Sequence, residues 1–499
     1  MTTATPEAKA RVSTQTGLAR FLGKFTVLKG AIRELWLVFI VKFLGIAAYA
    51  LTNSTLVLWL SSDFGYSDEQ SLALVAAWSA LMTLFTLLVG SLTDVLGLRK
   101  TFFIGVWICI LARTVMVFAS APWLALGGGL LPLAFGEALG TPVMIAATQR
   151  YSSTRQRSIS FSIVYTMMNV GFLLAAYIFD DLRRDLGEYR GASLFGLHLS
   201  TYRTLFLVSL LLEFSLLPFL YFLRAGAVAT DQGLALPSAV APQPPLSLWS
   251  AFRRTLRQSV TETLQLLGRL FRQAGFYRLL AFLVLIAFIK LIYKQMDYVY
   301  PKFGIRELGE GAPIGRLWAI NNYLVIFLVP LVGALTQRFS AYRMVIIGGS
   351  ISAASVFIMA LPAPWFVPLA NGGLGDWLGH WYLGLTGVVH PYYVMIALFV
   401  VLLSLGEAFY SPRVYEYAAA IAPKGQEASY GALSYVPFLL AKLMVGSFGG
   451  VLLAKYCPET GPRHPATLWL ILGLTTLVAP AGLLVFRRFI RVHEVGRED

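Results

Sequence analysis

Two short stretches, GEALGTPV at 136–143 and GEAFYSPR at 406–413, set Glu137 and Glu407 inside otherwise apolar sequence, each after a glycine and five residues before a proline. An ionisable side chain facing lipid costs roughly 3 kcal/mol, so such a carboxylate must face water or a cation, where it can carry a proton or hold an ammonium group. Cations occur in equally apolar surroundings: Lys42, Lys290, Lys294, Arg413 and Lys442, together with Asp297. Lys290, Lys294 and Asp297 are spaced four and three apart, and Lys42, Gly45, Tyr49 and Asn53 also follow helical spacing, which puts each set on one helix face. Such faces would line a polar pathway for a small solute with at least one negative charge. Glu137, Glu407 and Asp297 are the candidates for carrying coupling protons, because dehydration raises a carboxylate's affinity for a proton and a nearby lysine lowers it. Tyr49, Tyr165 and Tyr293 sit near these stripes. Arg113 and Glu213 each read as held in static pairs between helices less central to the pathway, and Arg413 and Glu416 as gate residues.

The elements that must position these groups are membrane helices. The 499 residues are 57% hydrophobic and 13% charged, with a mean hydropathy of +0.69, which places the chain in a bilayer. Runs of about 20 apolar residues predict twelve spans: 35–60, 71–91, 101–120, 124–148, 159–179, 203–223, 276–300, 317–338, 343–361, 392–416, 430–454 and 465–487. With the N-terminus inside, the inner loops hold about 25 Lys and Arg and the outer ones about 8, so both termini are expected in the cytoplasm. The expected location is a bacterial inner membrane. The net charge of +15 is thus spread along a membrane surface and does not define a nucleic-acid partner. Residues 1–33 lack a cleavable signal pattern. Two cysteines, five loop or tail histidines and no Walker A sequence argue against a disulfide framework, a metal site, a bound cofactor, a histidine relay and ATP-driven pumping.

Between spans six and seven the apolar pattern stops for about 50 residues. AVATDQGLALPSAVAPQPPLS (227–247) reads as a tether. The stretch after it repeats Trp249, Phe252, Leu256, Val260, Leu264, Leu267 and Phe271 at helical spacing among arginines, as in a helix on an anionic leaflet or on the ends of the bundle. The chain therefore divides into a segment 1–33, a bundle 34–224, a linker 225–275, a bundle 276–487 and a tail 488–499. GSLTDVLGLRKTFFIG (90–105) and GALTQRFSAYRMVIIG (333–348), at equivalent loops, repeat one another.

The first copy resembles the loop signature of the major facilitator superfamily, through Gly90, Leu92, Asp94, Gly97, Arg99 and Lys100. The resemblance implies an all-α membrane fold of twelve helices in two pseudo-symmetric six-helix bundles, with helices 1, 4, 7 and 10 lining a central cavity. It would set Glu137 and Glu407 face to face. It also implies a conformational latch made of Gly90, Asp94, Gly97, Arg99 and Lys100, to which Arg413 is added at the end of span ten.

Within that superfamily, GEAFYSPRVYEYAAAIAP (406–423), FSIVYTMMNVG (161–171) and LVLWL (56–60) resemble the proton-dependent oligopeptide transporter family. The implied function is proton-driven uptake of di- or tripeptides, with Glu407 holding the peptide amino group and Asn169 part of the span-five motif. The family's Glu-x-x-Glu-Arg falls here on Lys42, Gly45 and Ile46, and its span-four Lys-Pro on Thr141-Pro142. Lys42, Lys290 and Lys294 would then serve as the anion-binding side. The expected protein is a proton-coupled secondary transporter of a small anionic or zwitterionic solute, not an enzyme, acting as a monomer in the bilayer. The alternatives are a transporter of non-peptide organic acids and a non-transporting sensor that keeps the fold.

Overall fold

The computed structural model describes residues 26–89, 96–153, 155–194, 196–224, 226–230, 233–235, 271–421 and 436–491, with single residues 257, 261, 268 and 433. Twelve long helices follow in order: α1 Arg33–Phe64, α2 Asp68–Val89, α3 Leu98–Phe118, α4 Pro122–Arg150, α5 Arg157–Leu186, α6 Thr201–Tyr221, α7 Ala274–Tyr298, α8 Ile314–Leu335, α9 Ala341–Ala360, α10 Pro391–Ile421, α11 Val436–Tyr456 and α12 Pro465–Val485. Eleven are long and apolar enough to cross a membrane, and the 22-residue α2 completes the twelve. Several run past their predicted ends, α5 most of all, because Asp180, Asp181, Arg183, Arg184 and Asp185 interrupt the apolar pattern while the helix continues. A near-continuous extension of α7, Tyr300–Leu308, carries Lys302 and Arg306. Two three-residue antiparallel ribbons, Ala192–Leu194 with Leu197–Leu199 and Val228–Thr230 with Gly233–Ala235, are the only strands among the described residues. Most of the predicted surface helix after the tether, and Gly90 and Asp94 of the predicted latch, lie outside the described residues.

Helix packing repeats with a period of six. In the first half α1 packs on α5 and α6, α3 on α4 and α6, and α2 on α4; in the second, α7 packs on α11 and α12, α9 on α10 and α12, and α8 on α10. The halves meet along two equivalent seams, α2 with α11 and α5 with α8. The repeated Gly-Glu-Ala motif has a packing role here. A Cβ on Gly136 would lie 2.7 Å from Cys109 Sγ and 3.1 Å from the Gly105 carbonyl oxygen, and one on Gly406 would lie 2.2 Å from Ser352 Oγ and 2.7 Å from the Gly348 carbonyl oxygen. Gly105 and Gly348 are the matched glycines of the two loop copies, so each repeat closes one glycine on another to bring two helix backbones together.

The core is shared unequally by the two halves. On the far face, opposite the start of α1 and the end of α12 (the terminal face), one apolar cluster runs through both bundles and includes Leu56, Trp59, Met116, Phe206, Tyr300, Phe303, Phe399 and Trp469. Toward the terminal face it divides into two: one cluster holds Leu35, Phe39, Phe102, Val143 and Leu220 of the first bundle, and another holds Phe282, Tyr342, Tyr410 and Tyr417 of the second. Among the described residues the bundles are thus joined by apolar packing at one end and packed separately at the other.

Candidate functional site

Where the core divides, a cavity of about 270 Å³ lies between the bundles. Its wall takes Tyr49 and Asn53 from α1, Tyr165 and Asn169 from α5, Lys290, Tyr293, Lys294 and Asp297 from α7, Trp318 and Asn321 from α8, Glu407 from α10 and Phe438 from α11. Helical spacing predicts this convergence on α7, where positions 290, 294 and 297 share a face.

The charges in the wall differ in how far they are satisfied. Lys294 is ion-paired with Asp297 one turn along α7 and lies 5.7 Å from the Tyr298 ring centroid. That pair is internally neutral. Lys290 is buried and forms no ion pair within 4.0 Å among the described residues; its Nζ sits against the rings of Tyr410 and Phe438, each at 4.7 Å, and Tyr293 at 5.2 Å. Cation–π contacts reduce the cost of burying the ammonium without cancelling its charge. Glu407 Oε2 accepts a hydrogen bond from Asn321 Nδ2 at 3.0 Å, and the same amide reaches Ser404 Oγ at 3.0 Å. The cavity therefore holds one cation and one carboxylate with no partner of opposite charge in contact, and Asn53 adds a buried carbonyl oxygen, Oδ1, without a donor. Asn169 is partly occupied, donating to the Tyr165 carbonyl oxygen at 2.9 Å.

Two expected wall residues lie elsewhere. Lys42 is nearly two turns from Tyr49 toward the terminal face of α1 and does not reach the cavity lining. Glu137 does not face Glu407 across the cavity: its Oε1 accepts from Arg113 Nη2 at 2.6 Å, within the first bundle. Arg113 is fully buried. Its Nη1 lies 3.3 Å from Glu213 Oε2, and its Nε donates to Ser209 Oγ at 2.8 Å and Thr52 Oγ1 at 3.2 Å. The sequence expectation gave Arg113 and Glu213 static roles without naming their partners and did not include Glu137, because a pairing between α3, α4 and α6 leaves no trace in spacing along any one helix.

Polar ties between the bundles gather on the far face. Asp68 at the start of α2 takes Lys302 at 2.6 Å and both guanidinium nitrogens of Arg306 at 2.8 and 2.9 Å. Asp180 of α5 accepts from the backbone N–H groups of Gly315 at 2.9 Å and Arg316 at 2.6 Å, capping the first turn of α8 from the other bundle. Arg183 Nη1 donates to the Ala312 carbonyl oxygen at 3.3 Å. In the inner part of the α2–α11 seam, Lys442 Nζ donates to Thr83 Oγ1 at 2.8 Å and the Ser79 carbonyl oxygen at 3.1 Å. Asp68, Asp180, Arg183, Lys302 and Arg306 were not singled out in the sequence, Lys442 was expected as a charge inside a span, and Asn321 of the cavity wall was not singled out either.

The described latch residues make their contacts within one bundle. Gly97 has φ 80° ahead of α3; Arg99 donates to the Tyr221 carbonyl oxygen at 3.0 Å; Lys100 is exposed. Arg413 Nη1 pairs with Glu416 at 2.7 Å, and its Nη2 reaches Thr336 Oγ1 at 3.0 Å and carbonyl oxygen at 3.1 Å, inside the second copy of the loop motif.

A charged cavity lies between two pseudo-symmetric bundles, the arrangement that the resemblance in the loop sequence implied. The sequence profile of the Major Facilitator Superfamily matches residues 38–379, and the chain belongs to that superfamily. No curated protein matches the chain. Among solved structures it is similar to a POT family transporter in complex with 5-aminolevulinic acid, with a TM-score of 0.65 and 16% identity over 92% of this chain and 97% of that one. It is also similar to a structure solved for substrate recognition in proton dependent oligopeptide transporters (TM-score 0.63, 18% identity, 91% and 99% covered). A third is a bacterial homologue of the human drug peptide transporters PepT1 and PepT2 (TM-score 0.61, 16% identity, 91% and 99% covered). At these identities the likeness is one of fold.

Proposed function

We propose that the protein is a proton-coupled secondary transporter of a small zwitterionic solute of the di- or tripeptide or amino-acid-like class, working by alternating access as a monomer. The observation that carries this reading is a pair of opposite charges in one wall, Lys290 on α7 and Glu407 on α10, neither in a salt bridge among the described residues. A carboxylate on the solute would meet the Lys290 ammonium, and its amino group the Glu407 carboxylate, each as a charge-assisted hydrogen bond. Tyr49, Asn53, Tyr165 and Asn169 would orient the remainder, and the Lys294–Asp297 pair offers a second, exchangeable contact. A cavity of about 270 Å³ lies just below the roughly 300–1,000 Å³ common for drug-sized ligands, which favours a small solute.

With both termini in the cytoplasm, as the loop charges indicate, the far face is external and the conformation is closed to the outside. Solute would leave toward the separated terminal-face halves, and the α2–α11 and α5–α8 seams are where the bundles would rock. Uptake into proteoliposomes of a pooled set of di- and tripeptides and organic acids, with and without an inward proton gradient, tests the reading. Gradient-dependent accumulation of zwitterions supports it. Accumulation of simple dicarboxylic acids, or of nothing in the pool, overturns it, the latter in favour of a sensor that keeps the fold.

A further inference from the structure

The first bundle contains an arrangement that substrate binding does not use. Two carboxylates, Glu137 on α4 and Glu213 on α6, approach one guanidinium, Arg113 on α3, at 2.6 and 3.3 Å. If both are ionised the cluster carries a net negative charge in a low-dielectric interior, which is costly unless a further cation or proton balances it. Their satisfaction is unequal. Glu137 accepts a hydrogen bond from Arg113, whereas Glu213, whose side chain is only 6% exposed, accepts none among the described residues and has Arg113 alone as a cation in reach. Like-charged carboxylates competing for one cation hold a proton between them.

The other ionisable groups around the cluster do not supply the missing charge. On α1, Lys42 acts on Glu137 from a distance without pairing, and Tyr49 is a neutral phenol in the cavity wall. On α3, Cys109 lies near both carboxylates as a buried thiol. Arg113 and Glu137 are the charges that act on Glu213. From α5, Tyr165 is turned to Glu407, and the acidic residues of α2, Asp68 and Glu69, are at its far end.

We propose that Glu137, Glu213 and Arg113 form a proton-binding site in which the two carboxylates share one exchangeable proton, separate from the solute cavity. This inference rests on the proton-coupled reading above and assigns the coupling proton to the first bundle, while the unpaired solute-binding charges belong to the second. The proton enters through Glu137, the more exposed carboxylate at 16%, and passes to Glu213. Its effect reaches the cavity through α1. Arg113 Nε holds Thr52, and the next residue, Asn53, is in the wall. Protonation releases part of the hold on the guanidinium and lets Arg113 shift against Thr52.

The test is infrared difference spectroscopy of the full-length protein in liposomes without solute, following the C=O stretch of protonated carboxyl groups through a pH titration. The expected result is a protonated-carboxyl band in the wild type that is lost as pH rises, and its loss in both Glu213→Gln and Glu137→Gln, since either substitution leaves one carboxylate per guanidinium. Persistence of the same titrating band in Glu213→Gln overturns the proposal. Should that variant not yield folded protein, Glu137→Gln decides by the same band. Gradient-driven accumulation of the dipeptide L-alanyl-L-alanine is measured in parallel. Its loss in Glu213→Gln supports coupling through this site, and wild-type accumulation in that variant overturns it. If the wild type accumulates no dipeptide, the transport reading falls while the infrared band still decides whether the proton is shared.

Discussion

Asp68, in the first turn of α2, holds the guanidinium of Arg306 through two hydrogen bonds of 2.8 and 2.9 Å across the boundary between the bundles. Both side chains are about nine-tenths buried, and Arg306 Nη1 also reaches the Cys457 carbonyl oxygen at 2.7 Å. The contact ties the two bundles together on the far face. Asp68→Asn should therefore lower the closed state's advantage by about 2 kcal/mol, roughly thirtyfold in the open-to-closed ratio. Distance measurement between spin labels on the far ends of α2 and α7 would register the shift, and an unchanged distribution would remove Asp68 from the gate.

Cys457 offers a native reporter of the same opening. Burial, with the negative charge of Glu307 acting in the same direction, pushes its thiol up to about 12, so almost no thiolate is present at neutral pH. Wild-type protein should react very slowly with a maleimide. Combining Glu307→Gln with Asp68→Asn should raise the rate roughly tenfold or more. Cys109, buried in the middle of α3, should stay silent in both. Mass mapping of the modified peptide checks the assignment.

The solute-binding reading makes an asymmetric prediction. Glu407→Gln should weaken a zwitterion by about 1.5–3 kcal/mol, roughly 10–150-fold, and leave its N-acetylated analogue nearly unaffected. Lys290→Ala should do the reverse, penalising the zwitterion and sparing its C-terminal amide. Competition against transport of a labelled substrate measures both. Equal losses for all analogues would mean that the two residues hold the fold instead of the solute.

The matched glycines predict a symmetric packing defect. Gly136→Val and Gly406→Val each force a branched side chain against a neighbouring helix at a point already closer than carbon atoms tolerate. Each should cost about 1–3 kcal/mol or more. Melting of the purified protein should show comparable losses from the two variants, whereas Gly140→Ala, where a Cβ meets nothing within 4 Å, should be nearly neutral.

Span number, the six-plus-six repeat and the α7 face were readable because they depend on local composition and on spacing along one helix. The Glu137 environment was not. Its partner Arg113 is 24 residues away on α3, and the choice between cavity and guanidinium depends on how α3, α4 and α6 rotate against one another. The far-face ties escaped for a related reason: Asp68, Asp180, Lys302 and Arg306 sit at helix ends, where charges are ordinary, and only the approach of the two bundles gives them partners. Glu407, with Lys290, Tyr165 and Asn169, did fall on one cavity, because every helix that carries them presents a polar face in an otherwise apolar span.

The extension of α7 gives the protein a mechanical property. From Lys290 to Arg306 the chain runs through α7 and Tyr300–Leu308 with one slight irregularity at Val299, a rod of about 24 Å at 1.5 Å per residue. One end lies in the cavity wall and the other grips the opposite bundle. On the proposed solute-binding reading, a tilt of this rod that improves the fit around a solute would load the Asp68 clasp at once, and the strength of that clasp would set how small a cargo could trip the mechanism.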